Sequence, residues 1–371
     1  MTIVLTGGGT AGHITPNISL LPELRKLFGK IYYIGGGIKS GKETGDESES
    51  VGDGFYEKSG GLEKSFAKKY GVPFYPTAAV KFDRAKPLKN LKIPVVLPRA
   101  VAEAARILKE LRPDVLYSKG GYAALPSALA AGALRIPVVA HESDMTLGAA
   151  NKLCAPFCKR IFLSFENEKY AANRKYIHTG APVREELFRY EKGAARRALG
   201  IPDGMRALLI TGGSSGAQSI NECVYKCLGA LASLAYVLHL TGKTGNPGIT
   251  GANYRQFGYV DEIGLFFAAA DAVISRAGAA TAAELFALNK KTLFIPLPKT
   301  VSRGDQILNA EYYSKKYGAA VLPQENMNEK TLPRYAAELL ARPEPKPIAA
   351  FENPNKKIAS LLYRIADKRE V

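Results

Sequence analysis

The stretch Thr6-Gly7-Gly8-Gly9-Thr10-Ala11-Gly12-His13 sets an imidazole at the end of a glycine-rich turn. Imidazole changes charge near neutral pH, so at the mouth of a ligand crevice it can take a proton from an attacking hydroxyl. The glycines supply the other half of such chemistry. They let the chain turn tightly and let an anion come close to backbone N–H groups. The plainer reading of the same residues is a tight turn capped by a histidine. Asp83 and Glu142 are alternative bases, while His178 and His239 fall in strand-like runs where a structural role fits.

The second half of the chain carries a matching set. Gly212-Gly213-Ser214 follows one apolar run, and Ser275-Arg276-Ala277-Gly278-Ala279-Ala280-Thr281 follows another and opens a helical stretch containing Glu284. A third segment runs from Pro296 to Asn309 and includes Arg303-Gly304-Asp305-Gln306. Helix N-termini with small residues can hold a diphosphate without a metal. A carboxylate placed as Glu284 is can accept hydrogen bonds from two ribose hydroxyls. No D-x-D pair occurs, so neither a metal nor another cofactor is expected. The four cysteines form two C-x-x-x-C pairs, Cys154/Cys158 and Cys223/Cys227. That spacing permits zinc, but each pair falls in a stretch read as helical, where reduced cysteine acts as a small core residue.

These residues need strands and helices to place them. Apolar runs at residues 2–5, 30–34, 72–76, 115–118, 136–140 and 160–164 read as strands, with helices at 18–28, 100–111, 124–134 and 147–158. The pattern then restarts: strands at 207–211, 236–240, 257–260, 272–275 and 292–295, a helix over 218–231 and a last helix over 356–368. Alternation at this spacing means parallel, doubly wound α/β sheets. Two such domains join near Gly180-Ala181-Pro182-Val183, and their carboxyl strand ends are expected to face one cleft. Residues 35–61, rich in Gly, Ser, Glu and Lys, read as a loop.

At 371 residues with 46% hydrophobic content the chain is long enough for two or three cored domains. No apolar run approaches the roughly 20 residues that span a bilayer, and the start reads as strand and not as a secretion signal, so a cytosolic protein is expected. The net charge of +17 invites anionic partners. It is spread over both halves without interleaved aromatics or a helix-turn-helix, which argues against nucleic acid. Residues 80–99 concentrate it: Lys81, Arg84, Lys86, Lys89, Lys92 and Arg99 alternate with Phe82, Leu88, Leu91, Ile93 and Leu97. Such a mixture suits an anionic bilayer; the other reading is a solvated helix edge with its apolar side in the core.

Gly7, Gly9 and Gly12 also satisfy G-x-G-x-x-G. A dinucleotide site needs in addition an acidic residue at the tip of the second strand. Here the strand Lys30-Ile31-Tyr32-Tyr33-Ile34 runs into Gly35-Gly36-Gly37, which argues against a hydride-transfer enzyme.

Taken in order, GGGTAGH, SKGGY, HESD, GGSSGAQ, SRAGA and SRGDQILNA resemble the MurG family, in the form common in Gram-positive bacteria. The resemblance covers nearly the whole chain. It implies the GT-B glycosyltransferase fold and inverting transfer of GlcNAc from UDP-GlcNAc to the 4-hydroxyl of MurNAc in lipid I, giving lipid II for peptidoglycan. It also implies peripheral work at the cytoplasmic membrane face, an anionic membrane surface as partner, and contact with other proteins of cell-wall synthesis. Residues 1–183, with a C-terminal helix in 352–371, would bind acceptor and membrane, and residues 184–351 would bind UDP-GlcNAc.

Family roles then fall on particular positions. Thr10, Ala11 and Gly12 match the first glycine loop, which meets the donor and the acceptor diphosphate, and His13 matches the proposed general base. Arg184, Ser214, Val260 and the run Ala279, Ala280, Thr281, Ala282, Ala283, Glu284 match the donor site, with Glu284 on the ribose, and Gln306 matches a contact to the donor sugar. Gly213 and Arg276 join the donor set by position. Ala11 stands where many members have glycine, Asp144 replaces the asparagine of HEQN, and Asp305 replaces the first of two glutamines. A related transferase with another lipid acceptor would share the donor half, and a non-catalytic nucleotide-sugar-binding protein would keep the glycine turns without needing His13.

Overall fold

Strands that are apolar along their whole length must be covered on both faces, and here they form two fully parallel sheets. The structure is a computed structural model that describes residues 1–8, 11–36, 60–78, 93–213, 216–246, 248–345 and 353–369. The chain divides into two compact units, Met1–Pro182 with Asn353–Val371, and Val183–Glu352.

The first unit contains β1 (Thr2–Thr6), α1 (Ala11–Ser19), α2 (Leu21–Leu27), β2 (Lys30–Gly36), α3 (Gly60–Lys69), β3 (Phe74–Thr77), α4 (Ile93–Leu111) and β4 (Val115–Ser118). It continues through α5 (Leu125–Ala133), β5 (Val138–Glu142), α6 (Ala149–Cys154), β6 (Cys158–Leu163), α7 (Glu168–Ala171) and β7 (Tyr176–His178). The strand order is β3-β2-β1-β4-β5-β6-β7. Side chains alternate between faces: Ile3, Leu5, Val115, Tyr117 and Val139 pack into one core with α1 and α2. Val4, Leu116, Val138 and Ala140 pack into the other with α4 and α5. The order reverses at β1 and β4, and such a switch point opens a crevice at the carboxyl strand ends.

The second unit repeats the plan with α8 (Lys192–Ala198), β8 (Ala207–Thr211), α9 (Gln218–Lys226), α10 (Leu228–Leu234), β9 (Tyr236–Leu240), β10 (Tyr254–Phe257) and α11 (Ile263–Ala269). Then come β11 (Ala272–Ser275), α12 (Ala279–Ala287), β12 (Lys291–Phe294), α13 (Asp305–Tyr317), β13 (Ala320–Val321) and α14 (Thr331–Ala341). Its order, β10-β9-β8-β11-β12-β13, puts the switch point at β8 and β11.

The last helix, α15 (Pro354–Ala366), returns to the first unit. Asn353 caps it by accepting from Asn355 N–H, and Pro354 sits where its missing N–H costs nothing. Ile358, Leu362 and Ile365 share one face and are buried in the first core. Asn355 Nδ2 donates to Ser19 O at 2.9 Å. Burial of each such aliphatic side chain is worth about 1.5–3 kcal/mol.

Several elements differ from the sequence expectations. One helix was expected over 18–28; instead α1 starts at Ala11, so His13 lies in a first helical turn, and Pro22 in the first turn of α2 marks the restart after Leu20. The single helix expected over 218–231 breaks at Cys227, whose ψ is 21°. The helix expected to run to Cys158 stops at Cys154, and Cys158 begins β6. The strand expected at 257–260 lies at Tyr254–Phe257, because buried Tyr254 pairs with Val237 and holds the register of that edge strand. The helix expected from Ala100 begins at Ile93, so the end of the basic-apolar stretch forms the first turns of α4.

Candidate functional site

Each switch point carries its own group of polar side chains. In the first unit, α1 leaves the end of β1 and points His13 at the turn that follows β4. His13 Nδ1 lies 3.3 Å from Lys119 O. A carbonyl can only accept, so Nδ1 carries the proton and a neutral ring keeps its lone pair on Nε2. That is the tautomer a general base needs. Gly121, at φ 82°, packs its backbone against the ring: a Cβ there would lie 3.0 Å from His13 Cδ2 and 2.4 Å from Gly8 O. On the other side of the turn, a Cβ on Gly8 would lie 1.7 Å from Glu63 Oε1. Only glycine fits either place.

The turn is braced from beneath. Asn17 Nδ2 donates to Thr6 O and to Tyr33 Oη, both at 3.2 Å, and Tyr33 Oη donates to Gly7 O. Burial pushes the Tyr33 phenol well above its ordinary value, so it stays a donor. Asn17, Tyr33, Glu63 and the Lys119–Gly121 turn were not among the residues singled out from the sequence as bracing His13. The one available signal was Asn17, four residues after His13 and so on the same helical face.

Glu142, weighed above as a base, has another task. Its Oε1 accepts from Ser143 N and Asp144 N at 3.0 and 3.2 Å, and its Oε2 accepts from Gly148 N and Asn151 Nδ2 at 2.7 and 2.8 Å. Four donors occupy the carboxylate, which therefore staples the loop that holds half-buried Asp144. His141 beneath it bridges Tyr117 Oη at 2.6 Å and Ser164 Oγ at 3.1 Å, and burial lowers its pKa well below the ordinary value. His239 bridges Tyr254 Oη and Asn221 Oδ1, both at 3.0 Å, and burial lowers its pKa to about 4. His178 ends β7 with Nδ1 3.9 Å from Glu166.

In the second unit, Arg184 and Glu284 hold each other. Arg184 Nε donates to Glu284 Oε1 at 2.6 Å, and its second nitrogen donates to Oε2 at 2.9 Å. The carboxylate of this bidentate fork comes from the second turn of α12, whose N-cap Gly278 offers no side chain to the first N–H groups. Those N–H groups, from the segment containing Ala279, Ala280 and Thr281, can receive an anion. Ala282 and Ala283 are buried below them. Gly213, at φ 86°, forms the turn after β8, and half-buried Val260 follows β10. Gln306 Oε1 accepts from Leu297 N at 3.1 Å, which orients its amide at the exit of β12. Asp305 pairs with Arg303 at 2.7 Å.

Arg276 has a place different from the donor contact expected of it. Its guanidinium donates to Ile295 O at 3.0 Å, Ser219 Oγ at 2.9 Å and Gln324 Oε1 at 2.6 Å. It ties three segments together from inside. Thr10 and Ser214 lie outside the described residues, as do Asp83, the membrane set Lys81, Phe82, Arg84, Lys86, Leu88, Lys89, Leu91 and Lys92, and most of the 35–61 loop. Ala11 and Gly12 are the first two residues of α1.

The cysteine pairs belong to different cores, Cys154 and Cys158 to one unit and Cys223 and Cys227 to the other. Burial pushes the Cys154 thiol up to about 12 and the Cys158 thiol up to about 11, which disfavours the thiolate a metal needs. Among the described residues no group of three His, Cys, Asp or Glu side chains could hold a metal ion.

Two parallel sheets, each with polar groups gathered at its switch point, define the GT-B fold. The models of the glycosyltransferase family 28 N-terminal and C-terminal domains match residues 55–163 and 207–362. An enzyme from Clostridium perfringens (strain SM101 / Type A), called UDP-N-acetylglucosamine--N-acetylmuramyl-(pentapeptide) pyrophosphoryl-undecaprenol N-acetylglucosamine transferase, is 39% identical over 89% of this chain and 87% of its own. Its namesake from Clostridium botulinum (strain Hall) is 40% identical over 89% and 88%. The crystal structure of MurG from Acinetobacter baumannii superposes with a TM-score of 0.65 at 20% identity, covering 98% of this chain and 99% of that one. The chain belongs to the MurG family of UDP-N-acetylglucosamine--N-acetylmuramyl-(pentapeptide) pyrophosphoryl-undecaprenol N-acetylglucosamine transferases.

Proposed function

We propose that this chain transfers GlcNAc from UDP-GlcNAc to the 4-hydroxyl of MurNAc in lipid I, forming lipid II, with inversion and without a metal. The observation that carries the chemistry is the His13 Nδ1 contact to Lys119 O, which puts the ring proton on Nδ1 and so sets the tautomer a general base needs. Family membership supplies the substrates: the relatives' name states both the sugar and the pyrophosphoryl-undecaprenol acceptor. His13 takes the proton from the 4-hydroxyl as its oxygen attacks the anomeric carbon from the face opposite the leaving UDP. A single displacement of this kind inverts the centre. The departing diphosphate meets the uncapped start of α12 and Arg184, which carry positive charge already in place. Glu284 takes the ribose with the lone pairs that Arg184 leaves. UDP release should depend on lipid I; release at the same rate without it would contradict transfer.

No ion is needed where helix dipoles and a guanidinium meet the diphosphate. Transfer is expected to continue in excess EDTA. A complete loss that Mg²⁺ restores would show that a metal takes part.

The lipid-linked acceptor requires a surface that meets the bilayer, and residues 80–99 are that surface. Val95, in the described part, is 76% exposed at the start of α4. Among the described residues no helix is long and apolar enough to cross a membrane. Each basic residue near an anionic surface adds about 1 kcal/mol, reduced by salt. The variant Lys86→Glu/Lys89→Glu/Lys92→Glu is expected to lose co-sedimentation with anionic vesicles and to keep transfer to a short-chain soluble acceptor. Sedimentation like the unaltered enzyme at moderate salt would place the membrane surface elsewhere.

A further inference from the structure

A carboxylate stands in the wall of the first switch point with no part in the chemistry described above. Glu63 lies in the first turn of α3 and is 1% exposed. Taking a carboxylate out of water costs far more than burying an apolar side chain of the same length. Its place is set by glycines on two strands. A Cβ on Gly8, just past β1, would lie 1.7 Å from Glu63 Oε1, and a Cβ on Gly35, in β2, would lie 2.9 Å from Oε2. The carboxylate is therefore wedged between two backbone segments, in the room that two missing side chains leave.

The same short segment seats His13. A Cβ on Gly7 would lie 2.8 Å from His13 O, so Gly7 presses on the backbone of the histidine. A Cβ on Gly121 would lie 2.4 Å from Gly8 O and 3.0 Å from His13 Cδ2, so Gly8 O meets the glycine against which the ring packs. Tyr33 Oη holds Gly7 O from beneath. Glu63 meets Gly8 from the side of α3, which packs against α1 and β2. The two braces support each other. Burial, and with it the charge of Glu63, keeps the Tyr33 phenol protonated and so a donor to Gly7 O.

We propose that Glu63 is a positioning residue for the general base: its carboxylate fixes Gly8, and through Gly8 the seat of the His13 imidazole against Lys119 O. The proposal rests on the base assignment made above. Glu63 acts through the turn and not by touching substrate. This gives a reason for a buried charge that an apolar side chain of the same length would replace without loss of stability.

Two measurements on the whole enzyme test it, and one needs no substrate. In enzyme made with ¹⁵N-labelled histidine, the chain's four imidazoles give separate signals, and that of His13 is the one absent from His13→Ala. With the ring neutral, the unaltered enzyme should show the proton on Nδ1. In Glu63→Met the signal should move towards the average of the two tautomers, as the ring leaves Lys119 O. Turnover with both substrates saturating should fall about 10–100-fold, the cost of a displaced group, while both KM values stay unchanged. The melting temperature should match or exceed that of the unaltered enzyme, since a buried charge is gone. Glu63→Gln keeps the length and an oxygen beside Gly8, and should recover most of the turnover and the Nδ1 signal. An unchanged His13 signal with unchanged turnover in Glu63→Met would overturn the proposal. So would an effect confined to KM, or a loss of turnover that only follows a lower melting temperature while the His13 signal stays in place. If Glu63→Met does not fold, Glu63→Ala takes its place under the same readings. Failure of the unaltered enzyme to use lipid I would overturn the acceptor reading instead, and the tautomer signal would still decide the role of Glu63.

Discussion

Replacing His13 with alanine is expected to lower turnover by about 10²–10⁴-fold, the usual share of a general base, while UDP affinity stays nearly intact. The imidazole lies against Gly121 and its Nδ1 faces Lys119 O, so the lost group is a positioned proton acceptor. Alanine is a good helix former and suits the first turn of α1, so the fold should survive. The acidic limb of the rate profile should flatten in the variant, because that limb reports protonation of the base. Steady-state kinetics across pH, with circular dichroism to verify folding, checks all of this. Near-normal turnover in the folded variant would rule out His13. It would turn attention to Asp83, since four donors already occupy Glu142.

Glu284→Ala is expected to weaken UDP-GlcNAc binding by about 10–100-fold, as two polar contacts are lost and their partners are left unpaired. The effect has two sources. The ribose hydroxyls lose an acceptor, and Arg184 loses the carboxylate that fixes its fork, whose bonds are 2.6 and 2.9 Å. Glu284 has 5% and Arg184 20% of its side chain exposed, so the orphaned guanidinium also costs stability. Calorimetry with UDP-GlcNAc separates the two. A lower melting temperature with unchanged donor affinity would mean that Glu284 serves only to hold Arg184, and the ribose contact lies elsewhere.

What could be read from the sequence, and what could not, follows from the range of each interaction. The parallel sheets were legible because strands such as Ala207–Thr211 are apolar without a break, which only a sheet covered on both faces needs. The turns after β1 and β8 were legible because glycine pairs are short-range features. The start of α1 was not: glycine-rich residues read as loop, yet Ala11 and Gly12 are helical because the chain must turn at once from the switch point. Nor was the seat of His13, since Lys119 and Gly121 lie more than a hundred residues away and reach it only because β4 pairs with β1. Arg276 shows the opposite limit. An arginine after a strand at a carboxyl edge reads as an anion contact, but only the positions of Ile295, Ser219 and Gln324 reveal that its fork is turned inward.

The most direct measurement is the fate of label from UDP-[¹⁴C]GlcNAc given to the purified enzyme with lipid I, with another polyprenyl-linked sugar, and with no acceptor. The expected result is label appearing only with lipid I, β-linked to the 4-position of MurNAc, in one turnover and in the presence of EDTA. Label transferred as readily to the other lipid, or an α-linkage in the product, would contradict it.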